Sequence, residues 1–190
     1  MEQESGHQWL QWWTQTFWQQ ADPGWHHLPF FQLEPPFRER LALTQPAALT
    51  TLLALPDALP GLPDPRVLTL SSASPARRRR MMLLVGEICQ RDYGAHELDD
   101  EQRLWCQRIS RALRPGLWLP PSLSFWPDPQ PAALALLAAV FPVSCWFRLR
   151  LSFDFQAVNA FSDVAATLPS GKAQALWEAA IWRSQQQEEQ

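Results

Sequence analysis

The sequence predicts a mainly α protein, folded as a single helical domain with one short strand or hairpin near residues 146–154. Apolar residues recur every three or four positions in most long segments, which is the spacing of an amphipathic helix. Serine or proline stands where several of these helices would begin. Only residues 147–154 alternate apolar and polar residues as a strand does. The chain of 190 residues is long enough to bury a core without disulfides.

The first predicted helix carries a face of aromatic rings. Trp9, Trp13 and Phe17 are spaced by four residues, and Trp12 lies on the same side. These rings have two interpretations: they form core, or Trp9, Trp12 and Trp13 dock into the groove of a partner protein. A membrane surface is disfavoured, because residues 1–21 contain no lysine or arginine.

Prolines divide the first half of the chain. Pro46 opens a short helix at its first position, where the missing amide has no helical acceptor. Four prolines forbid regular structure at residues 56–66, which we take as a loop or sub-domain boundary. Within one domain at residues 1–190, we therefore expect a Trp- and Pro-rich part at 1–65, a helical core at 66–184 and a frayed tail at 185–190.

Two capped helices are predicted in the middle of the chain. Ser74-Pro75 supplies an N-cap and a first-position proline for a helix that ends near Tyr93-Gly94. The next helix starts at Asp99, where acidic residues complement its positive end, and stops at Pro115-Gly116. Its solvated face carries three arginines, Arg103, Arg108 and Arg111.

The last third contains the one strand signal. Residues 132–141 are apolar on all sides, which predicts a short buried helix closed by Pro142. Residues 146–154 then alternate, although a helix competes with the strand because strand propensity depends on context. Ser170 begins a final helix that buries Leu176 and Trp177.

Composition disfavours several classes of function. The net charge of −3 argues against a nucleic-acid binder, which needs a basic surface. Three scattered cysteines without a CxxC pair predict reduced thiols and a cytoplasmic location. The polar start, Met-Glu-Gln-Glu-Ser, is unlike a signal peptide, and the longest apolar run is too short to cross a bilayer.

The motifs of catalysis and metal binding are missing from the sequence. The four histidines have no cysteine or carboxylate at ligand spacing. No GxGxxG, P-loop or GxSxG motif occurs, and the acidic run at 99–101 is explained by a helix start. We therefore expect no enzyme activity, no catalytic residue, no metal, no cofactor and no small-molecule substrate.

Four consecutive arginines form the strongest charge feature. Positive charges at a helix start oppose the helix dipole and repel one another, so nearby acids or an acidic partner must compensate them. Only Lys172 among the 16 basic residues is a lysine. A GC-rich genome explains this bias, and so does a need for planar contacts to acidic partners. The candidate partner-binding residues are Arg77, Arg78, Arg79, Arg80, Trp9, Trp12 and Trp13.

The segment at residues 132–154 resembles the C-terminal region of the SctK (YscK/PscK) family. In that family a short Leu/Ala helix is followed by Pro, Trp and an Arg-Leu-Arg-Leu run, here residues 134–140, Pro142, Trp146 and 148–151. The resemblance implies a helical, cofactor-free accessory protein of bacterial type III secretion. It implies a place in the cytoplasmic sorting platform, between the SctD-type ring protein and the SctQ-type pod protein. Contact with the inner membrane is then indirect, through the ring protein.

Two alternative functions remain open at this point. A secretion chaperone or effector-binding module would usually form a symmetric dimer. A helical small-molecule-binding domain would have a deep cavity that is ringed by tryptophans and contains converging polar groups.

Overall fold

The protein is mainly α, as its sequence predicts. The computed structural model describes residues 2–90 and 97–186, and every regular element in those ranges is a helix. In chain order the α-helices are α1 (Glu2–Gln11), α2 (Pro35–Thr44), α3 (Pro46–Leu52), α4 (Pro65–Ser72), α5 (Pro75–Cys89), α6 (Asp100–Leu113), α7 (Gln130–Ala138), α8 (Val143–Leu149), α9 (Phe155–Asn159), α10 (Ser162–Ala165) and α11 (Ser170–Gln185). A π-helical turn lies at Trp12–Thr16, and 3-10 turns lie at Pro23–Trp25, Pro29–Gln32, Pro115–Leu117 and Arg150–Ser152.

Packing divides the chain into two units that are interleaved in sequence. Unit 1 contains Met1–Ser72 and Pro142–Gln156, and unit 2 contains Ala73–Phe141 and Ala157–Gln190. The predicted loop at residues 56–66 therefore lies inside unit 1, between α3 and α4. The organisation as a single domain stays a prediction.

Unit 1 joins the start of the chain to the segment after Pro142. The amide of Asp22 donates to the carbonyl of Leu151 at 2.8 Å, and the indole N–H of Trp25 donates to the carbonyl of Phe153 at 2.8 Å. The Trp25 ring also meets Phe155 edge to face at 4.8 Å between centroids. Both hydrogen bonds link residues far apart in sequence, so they fix how the two segments of unit 1 pair.

Gly24 lies where the N-terminal segment of unit 1 approaches Phe155 closely. A Cβ at this position would lie 2.8 Å from the Cβ of Phe155, which is shorter than real Cβ contacts allow. The side chain of Asp22 accepts from the amide of Gly24 at 2.8 Å and thereby holds the turn. The Asp-Pro-Gly sequence thus ends the aromatic segment with a turn. Only glycine fits the third position of this sequence without displacing Phe155.

Unit 2 is built around α5, which packs against α6, α7 and α11. The α5 stripe of Met81, Leu84, Val85 and Ile88 is buried, as its helical spacing predicts. The α7 residues 132–137 are buried on all sides, which confirms the predicted internal helix. Trp177 of α11 is 1% exposed and donates its indole N–H to the carbonyl of Ala133 at 3.2 Å.

The predicted starts of α5 and α6 are confirmed by their caps. Ser74 accepts from the amide of Arg77 at 3.2 Å, and Pro75 occupies the first turn. Asp99 forms a reciprocal capping box with Gln102, which the sequence reasoning did not identify. The predicted end of α5 near Tyr93-Gly94 falls outside the described residues, as do the last four residues of the predicted frayed tail.

The predicted strand or hairpin near residues 146–154 is wrong. These residues form α8 followed by the 3-10 turn at Arg150–Ser152. Pro142 stands at the N-cap with extended backbone, and its carbonyl accepts from the amides of Cys145 and Trp146 at 2.9 Å. The alternation misled because Arg148, a polar member of the pattern, is buried rather than solvated. A half-buried strand needs its polar residues on a solvated face, and Arg148 does not meet that requirement.

Candidate partner-binding surfaces

The three candidate tryptophans of the N-terminal segment are core residues of unit 1. Trp9, Trp12 and Trp13 are 3%, 4% and 5% exposed. Trp9 stacks on Trp12 at 5.2 Å between ring centroids, and its indole N–H donates to the carbonyl of Gly61 at 3.0 Å. We therefore correct the expectation that these rings bind a partner: each is enclosed by unit 1, which confirms the core interpretation.

The arginines of the Arg-Leu-Arg-Leu run stack on aromatic rings inside unit 1. The guanidinium of Arg148 lies 4.0 Å above the Trp13 ring and donates to the carbonyls of Trp13 and Ser144 at 3.3 and 3.0 Å. Arg150 lies 3.6 Å above the ring of Phe147. Burial lowers the pKa of Arg148 and lowers that of Arg150 to about 10, so both remain cations at neutral pH. This motif therefore acts as internal packing.

The cluster of Arg77, Arg78, Arg79 and Arg80 is largely compensated within unit 2. Arg79 forms an exposed two-pronged pair with Glu97 at 2.6 and 3.1 Å, and its hydrogen bonds lower the pKa of Glu97. The Nε of Arg78 donates to the carbonyl of Ala73 at 2.9 Å. The Nε of Arg77 donates to the hydroxyl of Ser184 at 3.4 Å, and Arg80 is partly buried. Nearby groups thus supply part of the compensation that the sequence required, and partner binding by this cluster stays a prediction.

Three arginines on the outward face of α6 differ from that cluster because they form no ion pair among the described residues. Arg103 pairs with Asp100 in the first turn. The next three, Arg108, Arg111 and Arg114, are exposed and form no ion pair within residues 2–90 and 97–186. Residues 102–127 contain four arginines and no acidic residue. Counting charges along the sequence would have found this stretch. The four consecutive arginines at 77–80 are a stronger charge signal, and they drew the prediction to α5 instead.

Two exposed leucines flank these three arginines. Leu104 on α6 is 49% exposed, and Leu117, just past the helix, is 79% exposed. Arg114 adopts left-handed backbone (φ 50°) at the C-cap and turns the chain into the 3-10 turn at Pro115–Leu117. The surface formed by Leu104, Arg108, Arg111, Arg114 and Leu117 is called the α6 face below.

Each of the two units contains a hollow at its surface. In unit 1 a half-open cavity of about 220 Å³ is lined by Trp12 with serine, threonine, glutamine and Phe17 side chains, and no charged group. The indole nitrogen of Trp12 is buried, so it cannot reach a ligand there. In unit 2 a smaller hollow of about 80 Å³ is lined by Glu87, Gln107, Ser110 and Arg111. The first hollow is polar and partly aromatic but lacks the ring of tryptophans that the ligand-binding alternative requires.

The reactive side chains are in environments that lower their reactivity. Desolvation raises the pKa of Cys106 and of Cys145 to about 12 and raises that of Cys89 further, so the thiols stay protonated at neutral pH. No group of three His, Cys, Asp or Glu side chains within the described chain could hold a metal ion. Among the same residues, no helix is long and apolar enough to cross a membrane.

No family model matches the sequence, and no curated protein or solved structure is significantly similar to the chain. The likeness to the SctK family therefore rests on the residues at 134–151 alone.

Proposed function

We propose that the protein is a non-enzymatic adaptor subunit of the cytoplasmic sorting platform of a bacterial type III secretion system. It bridges the inner-membrane ring protein of SctD type and the pod protein of SctQ type. The observation that carries the proposal is the run of buried Leu/Ala helix, Pro142, Trp146 and Arg-Leu-Arg-Leu that resembles the SctK family. In this role the protein lies in the cytoplasm and meets the inner membrane only through the ring protein.

The side-chain contacts of this run support the resemblance. An arginine- and leucine-rich stretch that arose from composition alone would keep its guanidinium groups in water. Here Arg148 and Arg150 are stacked on rings, and Pro142 serves as the N-cap of the helix that carries the run. Pro142, Arg148 and Arg150 therefore each have a defined structural task, which is what the residues of a family motif require.

The structural engagement of three carboxylates in unit 2 supports a role without catalysis. Asp99 caps α6, Glu97 pairs with Arg79, and Glu101 pairs with Arg183 at 2.6 Å. General acid–base catalysis needs such carboxylates in a shaped pocket, close to a second titratable group. The carboxylates named here are instead engaged at helix starts and in surface pairs.

Co-purification with the two expected partners tests the proposal. The full chain, the cytoplasmic domain of the ring protein and the pod protein from the same genome are expressed together and analysed by light scattering after gel filtration. We expect a stable complex that contains the chain and at least one of the two proteins. Failure to bind either one contradicts the adaptor role, and a symmetric dimer of the chain by itself favours the chaperone alternative.

A further inference from the structure

We infer that the α6 face is the docking surface for an acidic segment of a partner protein. The inference rests on the proposed adaptor role and adds to it the place of contact and the chemistry of the partner. The face consists of three arginines, Arg108, Arg111 and Arg114, between two exposed leucines, Leu104 and Leu117. None of these five residues was among the candidate partner-binding residues that the sequence suggested.

Helical spacing places three of these side chains on one face of α6. Leu104, Arg108 and Arg111 follow the i, i+4, i+7 spacing, so they share a face of α6. Arg114 and Leu117 continue beyond the helix C-terminus through the 3-10 turn. With a rise of 1.5 Å per residue, the helical part from Leu104 to Leu113 covers about 14 Å. A partner segment of about three helical turns matches this length.

Charge selects an acidic occupant. Other arginines of unit 2 do pair with acids, as Arg79 does with Glu97 and Arg183 does with Glu101. Within the described residues the three arginines of the α6 face form no ion pair, although the protein as a whole carries a net charge of −3. A guanidinium binds a carboxylate with two parallel hydrogen bonds, so aspartate or glutamate at helical spacing on a partner complements the face.

The helix dipole explains only part of this arrangement. Cations in the last turn of a helix stabilise it, which accounts for Arg111 and Arg114. Arg108 lies earlier than the last turn, beyond the range of that effect. The dipole also gives no reason for the exposed leucines at both ends of the face. Arginine is enriched at protein interfaces, and the two leucines add exposed apolar surface next to it.

The test compares two charge-reversal variants of the full chain. In the first, Arg108→Glu is combined with Arg111→Glu on the α6 face. In the matched control, Arg40→Glu is combined with Lys172→Glu; both positions are exposed, and neither belongs to the α6 face. Each variant changes the net charge by the same amount, so general electrostatic effects cancel in the comparison. Circular dichroism verifies that both variants fold.

Two probes separate this inference from the adaptor role. The first is the ring or pod protein, and the second is a synthetic amphipathic helix with three glutamates between two leucines. We expect the α6-face variant to bind both probes about tenfold or more weakly and the control variant to stay close to wild type. We also expect wild-type affinity to fall as salt rises from low to physiological concentration.

Several outcomes would overturn the inference. One is a partner complex in which the two variants bind alike: the adaptor role then stands and the α6 face does not. If the wild type fails to bind the acidic helix, the α6 face is not a docking surface for acidic segments. This conclusion holds whether or not the ring or pod protein binds. The wild type could also bind a DNA duplex more tightly than the acidic helix, with that binding lost in the α6-face variant. The face would then be a nucleic-acid surface.

Discussion

The Arg148→Ala substitution should lower the stability of unit 1 more than the replacement of any exposed arginine by alanine. The substitution removes a desolvated guanidinium 4.0 Å above Trp13, a contact of about 2 kcal/mol. It also leaves the carbonyls of Trp13 and Ser144 without these donors, at about 1 kcal/mol each. The substitution also removes the desolvation cost of the buried guanidinium, which offsets part of this loss. We expect the free energy of unfolding to fall by about 3 kcal/mol.

Urea titration, followed by circular dichroism and tryptophan fluorescence, measures this change. The control is Arg40→Ala, because Arg40 is exposed on α2 and its side chain has no partner among the described residues. We expect that control to stay within about 0.5 kcal/mol of wild type. Arg148→Lys should lose most of the same stability, since an ammonium lacks the planar surface that lies on the ring. Equal stabilities for Arg148→Ala and Arg40→Ala would refute the reasoning.

Three further predictions follow from packing and charge. Gly24→Ala should destabilise unit 1 by about 1–3 kcal/mol in the same titration, while Gly61→Ala, which meets nothing within 4 Å, should change little. Glu97→Gln should cost less than about 1 kcal/mol, because its pair with Arg79 is exposed and screened. Cys106 should resist alkylation at pH 8 in the folded protein and react in urea, as mass spectrometry would show. Because its pKa is raised to about 12, its contribution to stability should be lost as the pH rises from about 9 towards 12.

Local signals made the helix starts predictable. Ser74 and Asp99 cap their helices through atoms three residues away, so a short window of sequence contains the whole interaction. The all-apolar run at 132–141 was predicted correctly for the same reason. Composition of one segment was enough to place it in the interior of unit 2.

Interactions across long sequence separations were not predictable in this way. The alternation at 146–154 indicates a strand only if its arginines face water, and Arg148 instead lies on a ring 135 residues earlier. The helix at Pro35–Thr44 was not predicted from the sequence. Pro35 stands within the first turn, where proline is tolerated, so α2 begins there.

The same limit applies to the candidate surface. Four consecutive arginines at 77–80 stand out in the sequence, yet Glu97, 18 residues after Arg79, neutralises part of that charge. The arginines of α6 are spread over a helix and look ordinary until their surroundings are known. Whether a cation is available to a partner depends on which acids the fold brings near it. Composition alone does not contain that information.

The near absence of lysine has a structural reason that is independent of genome composition. Arg148 and Arg150 both lie flat on aromatic rings within unit 1. A guanidinium can stack in this way and still donate hydrogen bonds at its edge, whereas an ammonium is a strongly hydrated point charge. Lysine at these two positions would have to leave the ring or lose its hydration. Internal stacking therefore accounts for Arg148 and Arg150, whereas the three arginines of the α6 face form no ion pair within residues 2–90 and 97–186.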